Sequence, residues 1–305
     1  MEPGPRLPPD HQDGMRRSGR ATLKDIPQGD IRMTRLIQNF ALALLLAAPA
    51  AQAQLLLDVS ISGDTADVRI GPALSPLADL QLDFDDSTGL SASSLGLDAQ
   101  LVTVSAPTLL ARLPSGLVSV PTELPLMITV EPPTLGGLAF ERRVHVEVHT
   151  HALPYTAGSR LRLFKAPLGG AFRDITNAVE PGSVRTRGTT GGFSQFIVAL
   201  DLRPTDVVVA QKIQFLRDQA SLLAASEEAP LVSMIDGIED AVDVEDFAAA
   251  NALVDAMRSR VSARAGTHIP DDWRATRDVA NIAGELLSGL DTLDFSIAYL
   301  RDYGP

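Results

Sequence analysis

The hydrophobic periodicity of the chain changes once, near Pro204, and this change limits the possible architecture more than any other feature. Before it, from residue 54 to about residue 203, short runs of alternating apolar and polar residues are separated by Gly and Pro. A period of two predicts half-buried β-strands, and many short strands at this spacing predict an antiparallel sandwich. No helix-length segment lies between the runs, which argues against a parallel α/β sheet.

After Pro204 the apolar residues recur at steps of three and four, the pattern of amphipathic helices. We predict one helix after Pro204, a second beginning at Pro230, a third ending near Gly266, and a fourth that opens at Pro270 and carries Trp273. The predicted fold class is therefore α+β with segregated parts. An antiparallel β-sandwich over residues 54–203 is followed by a small α-helical bundle over residues 204–305.

The segment before residue 54 has the order of a secretory signal peptide. A short basic start at Met33-Thr34-Arg35 precedes an apolar run over residues 40–48 and a small-x-small site at Ala51-Gln52-Ala53. We assign residues 33–53 to a signal peptide, and we interpret residues 1–32 as a mis-called or disordered lead. The sequence thus predicts an exported protein, periplasmic or extracellular, and the mature chain shows no further transmembrane stretch.

Composition excludes several classes of function. The net charge of -12 argues against nucleic acid as a partner, because phosphate binding requires clustered Lys and Arg. The chain contains no cysteine, which excludes disulfides, thiolate nucleophiles and Cys-ligated zinc. We also find no catalytic triad motif, phosphate loop or cofactor fingerprint, so the sequence predicts no enzyme and no cofactor.

The stretch VHVEVHTH, residues 144–151, carries the most chemistry. In a β-strand its side chains alternate between two faces, so His145, Glu147, His149 and His151 share one face. Neighbouring imidazoles on one face can converge on a metal ion, and zinc or copper accepts such nitrogen and oxygen ligands. The alternative is an ordinary solvent-facing strand, with the valines in the core. The first and last residues lie too far apart to share one ion, so a neighbouring pair would need help from an adjacent strand.

A second candidate is the acidic run at Asp83, Asp85 and Asp86. Its oxygen ligands suggest calcium, but the EF-hand spacing is absent and no Glu closes the loop. These carboxylates are also the cluster that an unrecognised carboxylate hydrolase would use. A solvated strand end that leads into a turn is the competing interpretation.

Residues 161–201 contain three short strand patterns, Leu161 to Lys165, Phe172-Arg173-Asp174-Ile175-Thr176 and Phe193-Ser194-Gln195-Phe196. Together they resemble the closing strands of ZU5-like β-sandwich domains in secreted bacterial proteins. The helical tail resembles the FIVAR-like modules of exported bacterial proteins. Together the two resemblances imply a family of uncharacterised exported bacterial proteins, and they imply no catalytic residues.

These observations predict an exported, non-enzymatic protein with a structural or interaction role at the bacterial periplasm or cell surface, where a protein partner would be expected. Two alternatives stay open. One is a periplasmic metal-binding protein that uses the histidine strand, and the other is the carboxylate hydrolase.

Overall fold

The computed structural model describes residues 54–305, and the predictions for residues 1–32 and 33–53 lie outside this range. The strands are β1 Leu57–Ser62, β2 Thr65–Ile70, β3 Ala78–Thr88, β4 Leu97–Leu101, β5 Val118–Ser119, β6 Leu126–Val130, β7 Ala139–Pro154, β8 Leu161–Ala166, β9 Arg173–Asp174, β10 Thr176–Glu180, β11 Ser183–Thr190, β12 Gln195–Asp201 and β13 Asp272–Arg274. The helices are α1 Pro107–Leu110, α2 Thr205–Ala220, α3 Ala225–Asp243, α4 Phe247–Arg264 and α5 Ile282–Tyr303.

In the part of the chain that the structure describes, the strands form two antiparallel sheets. The first sheet has the order β1-β2-β3-β7-β11-β10, and β13 also pairs with β7. The second has the order β4-β6-β12-β8-β9, and β5 also pairs with β12. The main helices follow in sequence, so the predicted α+β class, an antiparallel β-sandwich followed by α-helices, is confirmed.

Three apolar clusters hold residues 54–305 together. The largest lies between the sheets and includes Leu80, Val146 and Phe196, all nearly inaccessible to solvent. A second lies among α2 to α5, and a third lies beneath α1 and the following loop. Burying side chains of this size supplies most of the stability of such a fold. Within residues 54–305, none of the helices combines the length and apolar character needed to cross a membrane.

The start of α5 joins the helices to the first sheet. Asn281 caps this helix by accepting from the Gly284 backbone N–H (2.8 Å), and its amide donates to the carbonyls of Arg142 (2.5 Å) and Gly191 (3.0 Å). Arg142 lies at a β-bulge of β7, has a positive φ of 58° and donates its N–H to the carbonyl of Asp271. The bulge therefore leaves the Arg142 backbone N–H and carbonyl outside the β3–β7 ladder, where they bind the segment that leads into α5.

The prediction of a helix from Pro270 was wrong. Trp273 lies in β13, opposite Phe140 of β7, and its ring stacks on Phe140 with centroids 5.0 Å apart. The indole also meets the edge of Phe193 at 5.0 Å. This aromatic packing outweighs the local helical pattern, and the helix begins only after Asn281.

The predicted start of the second helix was also wrong. Helix α3 begins at Ala225, so Pro230 lies inside it. The added turn contains Glu227, which forms ion pairs with Arg264 and Arg260 of α4 (3.6 Å to Arg260). A carboxylate in the first turn also complements the helix dipole, which favours the earlier start.

Candidate metal centre

The histidine strand is the middle of β7, and its side chains alternate as predicted. Val144, Val146 and Val148 are at most 2% exposed and face the sandwich core. His145, Glu147, His149 and His151 occupy the alternate positions, which are half-buried or exposed. The side chains with ligand chemistry therefore share the outer face of the first sheet.

The outer face is organised in rows that run across the strands, because antiparallel pairing sets residues directly opposite one another. The first row, from β2 to β11, is Arg69, Asp79, His149 and Arg185. The second row is Asp67, Gln81, Glu147 and Arg187, and the third is Thr65, Asp83, His145 and Thr189. The predicted ligands thus lie in different rows and have different neighbours.

Two of the four predicted ligands converge with a residue from the neighbouring strand. His149 and His151 have ring centroids 4.6 Å apart, and both rings face Asp79 of β3. The Asp79 Oδ2 atom lies 3.0 Å from His151 Nε2 and 3.5 Å from His149 Nδ1. Within residues 54–305, this is the group of His and acidic residues whose ligand atoms all lie within 4.8 Å of one another.

These distances suit a common metal ion. Zinc binds histidine nitrogen and carboxylate oxygen at roughly 2.0 to 2.2 Å in a tetrahedron, which sets neighbouring ligand atoms about 3.4 Å apart. The observed separations of 3.0 and 3.5 Å lie on either side of that value. The same separations also suit a hydrogen-bonded His–Asp pair. The metal interpretation therefore depends on the presence of two imidazoles and one carboxylate as well as on the distances between them.

The orientation of His149 favours metal binding through Nδ1. Its other nitrogen, Nε2, lies 2.6 Å from Ser183 Oγ, and donation to this hydroxyl leaves Nδ1 as the free acceptor that faces Asp79. An outer partner of this kind fixes the tautomer and ring orientation of a metal ligand. Burial, Arg185 and His151 lower the pKa of His149, although Asp79 and Glu147 act to raise it. The neutral ring, which is the form that binds metals, is therefore favoured.

The other two predicted ligands have protein partners of their own. His145 Nε2 lies 3.3 Å from Asp85, and Arg143 donates to the same carboxylate at 3.1 Å. Burial alone would raise the pKa of Asp85, but these two partners lower it. Glu147 pairs with Arg187 at 2.5 Å and with Arg185 at 3.3 Å. Neither His145 nor Glu147 joins the Asp79 cluster.

The acidic run of β3 does not converge on one centre. Asp83 accepts from Thr65 Oγ1 at 2.8 Å, whereas Asp85 pairs with Arg143 and His145. Asp86 follows an irregularity in the strand register and lies opposite Glu141 of β7. The calcium and hydrolase interpretations would require these carboxylates to act together, and the strand instead gives each a different neighbour.

Sequence reasoning missed Asp79 and Ser183. The alternation of Ala78, Leu80 and Leu82 in β3 indicates that Asp79 lies on the outer face of the sheet. What the sequence lacks is the pairing of β3 with β7 and the local irregularity that brings Ser183 beside His149.

Comparisons with known proteins identify a family but no individual related protein. Neither the curated proteins nor the solved structures gave a match. A family model described as a family of unknown function, DUF6689, matches residues 41–301, which include both the sandwich and the helices. The chain therefore belongs to the DUF6689 family, a family of unknown function.

Proposed function

We propose that this protein binds a divalent transition-metal ion through Asp79, His149 and His151. The observation that carries the proposal is the convergence of the three ligand atoms within 4.8 Å on one face of the first sheet. Two residues come from β7 and one from β3, so the rigid pairing of the strands holds the donors in place. Donors on paired strands need little ordering when a metal binds.

The donor set indicates the class of metal. Two imidazole nitrogens and one carboxylate oxygen suit zinc, copper or nickel, whereas calcium and magnesium prefer ligands that are all oxygen. We take zinc as the leading metal and copper as the second, since both accept a three-residue site that is completed by solvent. This proposal narrows the predicted ligand set from four residues on one strand to two, and it adds Asp79.

The cellular setting is a second part of the proposal. We infer an exported, non-enzymatic protein of the bacterial periplasm or cell surface, on the basis of the signal-peptide pattern over residues 33–53. The resemblance of the closing strands to ZU5-like sandwiches, and of the helices to FIVAR-like modules, implies no catalytic residues, which is consistent with a structural or interaction role. A protein partner at the cell envelope fits the same role.

Zinc binding by the protein, purified without chelators and without a histidine tag, tests the metal site. Isothermal titration with zinc should give one equivalent bound to the wild-type protein. His149→Ala and Asp79→Asn should each weaken binding at least about tenfold, because each removes one of three ligands. His145→Ala is the matched control, since His145 lies on the same strand and face but pairs with Asp85. Equal loss in His145→Ala, or no bound zinc in the wild type, would contradict the site.

Ser183 provides a test of ligand orientation. Ser183→Ala removes the hydroxyl that faces His149 Nε2 at 2.6 Å, and we expect zinc affinity to fall about tenfold or more with the stoichiometry unchanged. Ser183→Thr keeps the hydroxyl and should retain wild-type affinity in the same titration. If both variants bind zinc as tightly as the wild type, His149 does not depend on this hydroxyl.

A further inference from the structure

A groove lies beside the candidate ligands on the outer face of the first sheet. It has a volume of about 330 Å³, and Asp79 and His149 form part of its wall. Its other charged lining residues are Asp58, Asp67, Arg69, Glu147 and Arg185. A metal ion held by the three ligands would therefore lie at the edge of a space that admits a small molecule.

Arginines flank the site on both sides. Arg69 lies directly opposite Asp79, and Arg185 lies directly opposite His149, so the two arginines occupy the ends of the same row, and both line the groove. Arg69 contacts Asp79 only at 4.0 Å, and Arg185 contacts Glu147 at 3.3 Å. Among residues 54–305, neither side chain donates a hydrogen bond beyond these ion pairs. Each guanidinium has five N–H donors, so both retain donors for a ligand.

The charge at the metal ion itself would favour an anionic ligand. A divalent metal ion with a single carboxylate ligand carries a net charge of +1, and three protein ligands leave a tetrahedral ion one open position. Arg69 and Arg185 add two positive charges to the groove, and Asp58, Asp67 and Glu147 add three negative ones, so the loaded groove as a whole has no net charge. Asp58, Asp67 and Glu147, which also line the groove, oppose a multiply charged ligand and so favour a single carboxylate.

We infer that the metal ion at Asp79, His149 and His151 takes a small carboxylate ligand in its open position, with Arg69 and Arg185 as the groups that bind the carboxylate oxygens. This inference rests on the proposed metal site. Guanidinium groups match carboxylates through paired N–H donors, and such charge-assisted hydrogen bonds are stronger than neutral ones. The metal-loaded protein would then be a receptor for small organic acids.

Cobalt loading separates the metal step from the carboxylate step. Co²⁺ replaces zinc in sites of nitrogen and oxygen ligands, and its visible absorption changes when a new ligand enters its coordination sphere. The cobalt-loaded full-length protein is titrated with sodium acetate at constant ionic strength, with acetamide as the uncharged probe. We expect a saturable spectral change with acetate and none with acetamide.

Arginine variants identify the groups that bind the carboxylate. Arg69→Gln and Arg185→Gln should each bind one equivalent of Co²⁺ and raise the acetate dissociation constant about tenfold. Arg274→Gln on β13 is the control, because Arg274 and Arg69 have similar side-chain exposures of 46% and 52% but Arg274 lies outside the groove. Circular dichroism spectra confirm that each variant is folded.

The outcomes distinguish the two proposals. Failure of the wild-type protein to bind Co²⁺ or zinc stoichiometrically would overturn the metal site and this inference together. Stoichiometric metal with no acetate response, or an equal response in the Arg69 and Arg185 variants, would overturn the carboxylate inference and leave the metal site intact. A response to acetamide equal to that of acetate would also overturn it, because the recognition would not depend on charge.

Discussion

Replacing Gly284 by alanine should destabilise the protein severely, by about 3 kcal/mol or more. A Cβ atom at this position would lie 1.9 Å from the carbonyl oxygen of Arg142, and 2.5 and 2.6 Å from the amide nitrogen and oxygen of the Asn281 side chain. The start of α5 would have to move away from the β7 bulge. That movement would break the hydrogen bonds from Asn281 to Arg142 and Gly191, which join the helix to the sheet.

The expected loss of stability is opposite in sign to the effect of helix propensity, so the measurement distinguishes the steric clash from propensity. Alanine in a helix is more favourable than glycine by about 1 kcal/mol, so propensity alone predicts stabilisation. Gly237→Ala in α3 is the matched control, because its added Cβ would meet only the flexible end of Leu253, at 3.3 Å. Urea unfolding followed by circular dichroism should show a much lower midpoint for Gly284→Ala and an unchanged or higher one for Gly237→Ala. Equal midpoints for Gly284→Ala and the wild type would mean that α5 does not dock as described.

Breaking the buried ion pair between Asp174 and Lys212 should have a comparable effect. Asp174 of β9 and Lys212 of α2 are 7% and 6% exposed, and their Oδ2 and Nζ atoms lie 2.9 Å apart. Lys212 also donates to Ser296 Oγ (2.8 Å) and the Thr292 carbonyl (2.9 Å) of α5. Burial alone would raise the pKa of Asp174, but Lys212 and Arg162 lower it, so the carboxylate is ionised.

Lys212→Met should therefore lower the free energy of unfolding by about 3 to 5 kcal/mol, because it leaves a buried carboxylate without its partner. The double variant Asp174→Asn/Lys212→Met removes both charges and keeps an acceptor for the Thr176 backbone N–H. We expect it to recover much of the loss, since replacing a whole buried pair costs far less than breaking it. Chemical unfolding of the wild type, both single variants and the double variant measures this coupling. Additive losses would show that the two charges do not depend on each other.

The histidine strand shows what a sequence can predict about a site and what it cannot. Alternation is a local property, so the valine and histidine faces of β7 follow from residues 144–151 alone. Asp79 comes from a strand about seventy residues earlier in the chain, and only the pairing of β3 with β7 makes it a neighbour of His149. The sequence therefore indicated that a neighbouring pair of the four candidates would need a ligand from an adjacent strand, but it did not identify His149 and His151 as the pair or Asp79 as the third residue.

The helical region also shows that a local pattern predicts helices but does not predict contacts with distant residues. The stripes of α2 and α4 are periodic over several turns and were predicted correctly, because each buries one apolar face. Trp273 fits a helical pattern equally well, yet its ring packs on Phe140 and Phe193 and holds the backbone in a strand. Such contacts join residues more than seventy positions apart, and the hydrophobic periodicity of a short segment does not indicate them.

The position of β13 has a consequence for the order in which the protein folds. Residues 272–274 pair with residues 139–141 at one end of β7, across a loop of about 130 residues that contains strands β8 to β12 and three helices. Contacts of such long sequence separation form late, because the entropy of closing the loop must be overcome first. The hydrogen bonding of the first sheet is thus completed only when nearly the whole chain is present. The pairing of β13 with β7 should accordingly be among the last steps of folding.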